Sequence, residues 1–265
     1  MDGSTPGCYY TRLDGTRFLP TVHVGGAWRD DEQHFAPVAG LITHEIERHA
    51  AGSGLLVSRL AFEILGVIPA QESDVRVETL RPGRTIQLLE ATMTVAGRVV
   101  VRARAWLLAR QDTAEVAGGE PGPMPPPEQL PVWHGPDTWP GGYIASVEVR
   151  RSADAVPGQA RAWVSTPVGL VAGEPAGALA RFVGLVDTAN GIAVRQHPGE
   201  WMFPNLDLTL HLYRQPTGGA VGLDTTVVFG PDGVGLTSSV LHDEQGPVGR
   251  AEQVLTVRPL PPRDP

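Results

Sequence analysis

Two stretches of this chain follow one plan, and that repetition limits what it can fold into. The first reads "RLAFEILGVIP", a short gap, then "VRVETLRPGRTIQLLEATMTVAGRVVVRARAWLLAR"; the second reads "NLDLTLHLYRQP", a gap, then "VGLDTTVVFGPDGVGLTSSVLHDEQGPVGRAEQVLTVRP". In each, a strand-like run ends at proline (Pro69, Pro216), two more runs follow, and a glycine turn (Gly97, Gly246) leads into a last one. The copies lie about 147 residues apart, too far for a solenoid period, so a whole domain unit is duplicated. Upstream of each copy lies one helical stretch. In "HFAPVAGLITHEIERHA", Ala36, Ala39, Gly40, Ile42, Thr43 and Ile46 fall near helical spacing; in "GALARFVGLVDTANGIAV", Leu179, Phe182, Val183, Val186 and Ala189 form an apolar stripe. Opening strands are supplied by "YYTRLDGTRFLPTVH" in the first half and by "ASVEVRRS" and "GQARAWVST" in the second. One mostly apolar helix among several long strands predicts a curved antiparallel sheet wrapped round a buried helix. The fold class is therefore α+β, with two such units in tandem.

Between the copies, "AEVAGGEPGPMPPPEQLPVWHGPDTWPGG" is dense in Pro and Gly and has hardly any periodicity, the composition of a connector. We expect a first unit over 8–112, a linker over 113–142, a second unit over 143–259 and a Pro-rich tail over 260–265. Each unit is long enough to bury a core of its own. The formal net charge of −8 argues against nucleic acid, whose phosphates call for a surplus of Lys and Arg, and equally against anionic membrane surfaces. No apolar run reaches transmembrane length, and "MDGSTPGCYYTRLDG" lacks the basic start and apolar core of a signal peptide, so a cytosolic (cytoplasmic) location is expected. A single thiol, Cys8, makes no internal disulfide and reads as a bystander near the terminus. There is no GxSxG elbow, no phosphate-binding glycine loop and no His spacing suited to zinc.

The stretch "FPNLDLTLHLYRQPTG" alternates strictly, with Leu206, Leu208, Leu210 and Leu212 on one side and Asp207, Thr209, His211 and Tyr213 on the other. A strand sends successive side chains to opposite faces, so the polar row either meets water or lines a cleft.

The order of strand, helix and meander, done twice across a Pro-rich link, resembles the type II (TesB-like) acyl-CoA thioesterases of the double-hotdog superfamily. The most specific pieces are "VETLRPGRTIQLLEATMTVAGRVVVRARAWL" and the final "GPVGRAEQVLTVR". The resemblance implies a double hotdog that hydrolyses the thioester of an acyl-CoA with activated water, as in fatty acid metabolism, without metal or cofactor. It also implies a constellation of an Asp on a second-half strand, a Thr or Ser on the next and a Gln on the last. These match Asp207 and Gln253; the hydroxyl position falls near Val228, with Thr225 and Thr226 beside it, and Thr226 is carried as the candidate. A carboxylate within reach of water can take its proton during attack on a carbonyl, Gln can hold the water, and helix-start amides can stabilise the oxyanion. Alternatively, Gln253 is a buried amide making only a local hydrogen bond.

Asp187 and Asn190, in "LVDTANG", are secondary candidates that either aim at the same cleft or cap a helix end. His34, His44, Glu45 and Glu47 read as the solvated face of the first helix. Leu60 stands where the repeat puts Asp207, so the chemistry is expected in the second half. The acyl chain would enter a groove between helix and sheet, with CoA phosphates near Arg81, Arg84, Arg98, Arg102 or Arg104. Trp133 and Trp139 fall in the linker, and Trp106 reads as core. Two other readings stay open: an enoyl-CoA hydratase or dehydratase of the same fold, and an acyl-ligand binding protein that lost the hydroxyl near Val228. Two units in one chain already mimic a dimer, so a monomer and a homo-oligomer both fit.

Overall fold

The computed structural model describes residues 7–260 except Ala27 and Asp30, and of Pro136 only the backbone. Almost all of the expected tail, residues 261–265, lies outside the described residues. The first half runs β1 (Cys8–Arg12), β2 (Arg17–Pro20), α1 (Phe35–His49), β3 (Leu55–Ile64), β4 (Ser73–Arg81), β5 (Ile86–Val95) and β6 (Arg98–Ala109). After the Pro-rich stretch come β7 (Val132–Trp133), α2 (Gly142–Ala145), β8 (Glu148–Arg151), β9 (Gln159–Ser165), β10 (Gly169–Val171), α3 (Ala178–Val186) and α4 (Ala189–Ile192). The chain ends through β11 (Trp201–Met202), β12 (Asp207–Leu212), β13 (Ala220–Phe229), β14 (Val234–Asp243), β15 (Gly246–Thr256) and β16 (Arg258–Pro259).

The long strands of both halves join in one sheet of 14 strands, ordered β10-β1-β2-β4-β5-β6-β3-β12-β15-β14-β13-β9-β8-β7. The halves meet where β3 pairs antiparallel with β12, Leu60 opposite Leu210 and Glu63 opposite Asp207. At the far edge, β10 from the second half pairs parallel with β1, placing Cys8 opposite Gly169 inside a strand.

Both long helices are buried. Every residue of α1 from Phe35 to Ile46 is inaccessible or nearly so, although His44, Glu45 and the N-cap His34 are polar. The expectation of a solvated face fails because α1 packs on β4 and β5 on one side and on α3 and β10 of the second half on the other. The two helices cross at glycines: a Cβ on Gly40 would lie 3.0 Å from Gly184 Cα and 3.2 Å from Ala180 O, so a side chain there would push the helices apart. Leu41, Ile42 and Ile46 are fully buried, each contributing about 1.5–3 kcal/mol by leaving water.

The polar groups of α1 are met partly by β1 and partly by the other half. Arg12 bridges Glu45 at 2.6 Å and Glu174 at 2.5 Å, and His44 lies 3.2 Å from Glu174. Glu47 accepts a hydrogen bond from the Ala180 amide, capping the first turn of α3 from across the helix pair.

The linker is not a loose tether. Trp163 Nε1 donates to Pro125 O, and Met124 and Leu130 bury against that indole. Further on, the "WPGG" stretch lies backbone to backbone against Gly25 and Gly26: a Cβ on Gly141, whose φ is 116°, would come 2.3 Å from Gly26 O. Trp106, expected in the core, is only partly buried, on the outer face of β6. No helix of the described residues is long and apolar enough to cross a membrane.

Candidate active site

A cavity of about 610 Å³ opens where α1 begins, α3 ends and β3, β12 and β15 come together. Its lining is mixed: Ile64, Leu65, Val67 and Ile68 come from the end of β3 and the turn after it, Trp28 from a loop of the first half and Trp139 from the linker, and His34, Asp187 and Asn205 are among its polar members. Trp28, Trp139 and Phe203 meet edge to face, with centroids 5.1 to 5.8 Å apart, a favoured aromatic geometry. Trp139 Nε1 donates to Gly191 O at 3.0 Å, anchoring the linker over α4.

Asp187 is the C-cap of α3 and is 7% exposed. Its Oδ1 accepts from Gln253 Nε2 at 2.7 Å and from Asn205 Nδ2 at 2.8 Å. Burial pushes its carboxyl up to about 7, against the pull of the two amide donors. Its place at a helix C-terminus acts in the same direction, since that end of the dipole is negative. Gln253 sits mid-strand on the inner row of β15 with Ala251 and Leu255, and opposite Thr237 of β14. Asn205 lies just before β12 and also donates to Asp207 O.

On the other side of the carboxyl, His34 Nδ1 lies 3.5 Å from Asp187 Oδ2. The same nitrogen accepts the Ala36 amide at 3.1 Å, so His34 caps α1 while facing the second half. Its ring stacks on Tyr143, centroids 4.2 Å apart, and the Tyr143 hydroxyl meets Thr188 Oγ1 at 2.7 Å. Burial holds the imidazole down to about 3, so it is neutral at ordinary pH.

The structure gathers only part of the constellation expected from the sequence. Gln253 is buried behind the cavity wall, and its partner is Asp187, which the sequence ranked second. Asp207 is not in the cavity: it stands on the outer row of β12, and its Oδ1 accepts the Val254 amide at 2.7 Å. The polar row of "DLTLHL" is the wet face, because Leu208, Leu210 and Leu212 take the core. Thr226 and Val228 share the outer face of β13 and are exposed, while Thr225 points inward and bonds Ser239 at 2.8 Å. The missing hydroxyl near Val228 thus bears on an outward position, away from Gln253. Asn190 lines the cavity, but its Nδ2 is held by Phe203 O at 2.9 Å. Arg81, Arg84, Arg98, Arg102 and Arg104 lie elsewhere; the arginines along the cavity are Arg29 and Arg258.

Sequence reasoning missed His34 and Asn205. Helical spacing put His34 among polar residues that look solvated, and Asn205 precedes its strand without any periodic signal.

Comparison with known proteins fits this geometry. Residues 25–108 match the model of an acyl-CoA thioesterase N-terminal domain, and residues 127–257 match that of the C-terminal domain of the same family. The chain belongs to the acyl-CoA thioesterase family. It is a thioester hydrolase acting on acyl-CoA. Among solved structures, it is similar to the acyl-CoA thioesterase II TesB2 from Mycobacterium marinum, at 15% identity with 97% of each chain covered and a TM-score of 0.68. It is also similar to a tesB protein of Mycobacterium avium subs paratuberculosis, at 15% identity, 94% and 96% coverage and a TM-score of 0.69. A hot dog fold protein of unknown function from Alicyclobacillus acidocaldarius aligns at 14% identity, 93% and 95% coverage and a TM-score of 0.73. At such identities the likeness concerns the fold. No curated protein sequence matches the chain.

Proposed function

We propose that this thioesterase works through Asp187, Gln253 and Asn205, and that each of its two units is a hotdog, 8–112 around α1 and 143–259 around α3, joined by the linker 113–142. The observation that carries the site is the environment of Asp187: a carboxyl buried at the wall of the cavity, raised to about 7, whose Oδ1 is occupied by two amide donors. Oδ2 is then the atom left to accept a proton from water. As the water oxygen bonds to the thioester carbonyl carbon, Asp187 takes its proton; collapse of the tetrahedral intermediate breaks the carbon–sulfur bond, Asp187 passes that proton to the departing sulfur, and the acid and the CoA thiol are released. A base whose pKa lies near the working pH is well matched to this step. Gln253 and Asn205 keep the carboxylate oriented and favour its ionised form.

Chemistry belongs to the second unit because its counterpart in the first is absent. Three residues beyond Gly184 stands Asp187; three beyond Gly40 stands Thr43, whose hydroxyl donates to Ala39 O. The acyl chain fits the apolar side of the cavity, along Ile64–Ile68 and the two tryptophans. Arg29 and Arg258 at its edge suit the phosphates of CoA better than the strand arginines do.

The test is free-thiol release from acyl-CoAs of graded chain length, wild type against Asp187→Asn. Activity lost in the variant with its melting temperature held places Asp187 in the chemistry; an Asp187→Asn enzyme that turns over normally removes it. His34, Asn205 and Asp187 also assemble the group types of a hydratase, so an enoyl-CoA belongs in the panel. Consumption of the double bond without thiol release would favour that alternative.

A further inference from the structure

The backbone at the start of α1 is short of donors for an oxyanion. Helix-start amides are the usual supply, since the first turn has no intrahelical partners for them. Here the His34 amide is bound to Val24 O at 2.7 Å, the Ala36 amide is bound to His34 Nδ1, and the next residue is Pro37, which has no N–H. Only the Phe35 amide remains without a hydrogen bond among the described residues.

One amide is a poor oxyanion site, and the side chain that occupies another of them carries its own donor. Because Nδ1 accepts the Ala36 N–H, the neutral imidazole must hold its proton on Nε2. The stacked Tyr143 fixes the ring plane, and His34 lines the cavity beside Asp187 with 14% of its side chain exposed.

We propose that His34 is a catalytic residue supplied by the first unit to the second: its Nε2–H, together with the Phe35 N–H, binds the thioester carbonyl oxygen as it becomes an oxyanion. This rests on Asp187 being the base of the same site. The imidazole keeps its proton throughout. Negative charge develops on the carbonyl oxygen as water attacks and Asp187 accepts the water proton; the oxygen's electron pair then re-forms the C=O bond as the C–S pair leaves on sulfur. The neutral state of the ring, maintained by burial, means that its donor capacity does not depend on pH across the working range. A division of labour across the halves also accounts for the depth at which α1 and α3 are packed together.

The cap and the donor sit on different ring nitrogens, so they can be separated. His34→Asn keeps a good N-cap acceptor but has nothing where Nε2 was. We expect its melting temperature and KM to stay near wild type and its kcat to fall by about 10²–10³, the usual loss for one oxyanion donor. His34→Gln, whose amide reaches further, should recover part of that kcat while melting lower. A His34→Asn enzyme with wild-type kcat overturns the proposal. A second readout does not depend on turnover: in the Asp187→Asn background, a bound acyl-CoA should show its thioester carbonyl stretch shifted to lower frequency, and adding His34→Asn should reduce that shift to what the Phe35 N–H alone produces. An unchanged stretch overturns the proposal. If instead Asp187→Asn remains fully active, the base assignment has failed, which is distinct from a normal His34→Asn in an enzyme that needs Asp187.

Discussion

Replacing Asp187 by Asn should make the protein more stable as the pH rises, while destroying its activity. In the unfolded chain this carboxyl ionises near 3.8, whereas in the fold it is held up to about 7. Between those values the folded state binds a proton that the unfolded state has lost, so wild-type stability falls as pH rises through this window. Below the unfolded value both states are protonated and the carboxyl costs nothing; above about 7 both are ionised and the cost is complete. The gap of about three pH units corresponds to about 4 kcal/mol, at 1.36 kcal/mol for each. Asn has no such window. Its Oδ1 can still accept from Gln253 and Asn205, and its amide N–H faces the His34 Nδ1 acceptor, so the variant keeps the local bonds. Guanidinium unfolding of both proteins at pH 4.5 and pH 8.5 measures this directly, because every other titrating group cancels in the difference. The variant's advantage should grow by several kcal/mol between the two pH values, and wild-type kcat/KM should rise with pH to a plateau above about 7. An advantage that stays constant within about 1 kcal/mol, the change expected for an unperturbed carboxylate being near zero, would refute the reasoning from burial.

Other outcomes follow from the same contacts. Gln253→Leu removes a donor to a charged oxygen, worth about 1.5–3 kcal/mol, so the midpoint of the kcat/KM profile should move up by about one to two pH units. Asp207→Asn retains the acceptor for the Val254 amide and should leave thiol release unchanged, with stability within about 0.5 kcal/mol in chemical unfolding. Gly141→Ala would strain a φ of 116° and press on Gly26 O, so both the melting temperature and activity should fall as the Trp139 wall shifts. Glu174 is held down to about 2, first by its hydrogen bond to Arg12; its contribution is present above about 4.5 and is lost as pH falls toward 2, so Glu174→Gln should flatten the acid limb of the unfolding curve over that window.

The tandem α+β plan was legible because it rests on local, periodic signals. Alternation gave β12 with Leu208, Leu210 and Leu212 buried, though Leu206 at the head of the same row is exposed beside the cavity, and helical spacing gave α1 and α3. Gln253 could be singled out through the resemblance of "GPVGRAEQVLTVR" to the family's last strand; its place on an apolar row by itself fits a buried amide equally well.

What periodicity could not give is which face of an element meets another distant in sequence. Asp207 and Asp187 are both acidic residues among apolar ones, and nothing local separates them; the sheet turns the first outward and α3 turns the second toward Gln253. His34 and His44 looked like a wet helix face until the second half covered it, since burial of α1 on two sides depends on the Gly40–Gly184 crossing. Trp139 looked like linker until the glycines after it docked on Gly25 and Gly26. The sequence by itself therefore determined the α+β class, the long helices and strands and the family, because these depend on near neighbours in the chain. Only the tertiary structure decided what surrounds Asp187: Asn205 and Gln253 reach it when α3 packs on the strands of its own half, and His34 joins them when the first half packs against the second, so the burial on which its proposed role as base rests is a product of the fold.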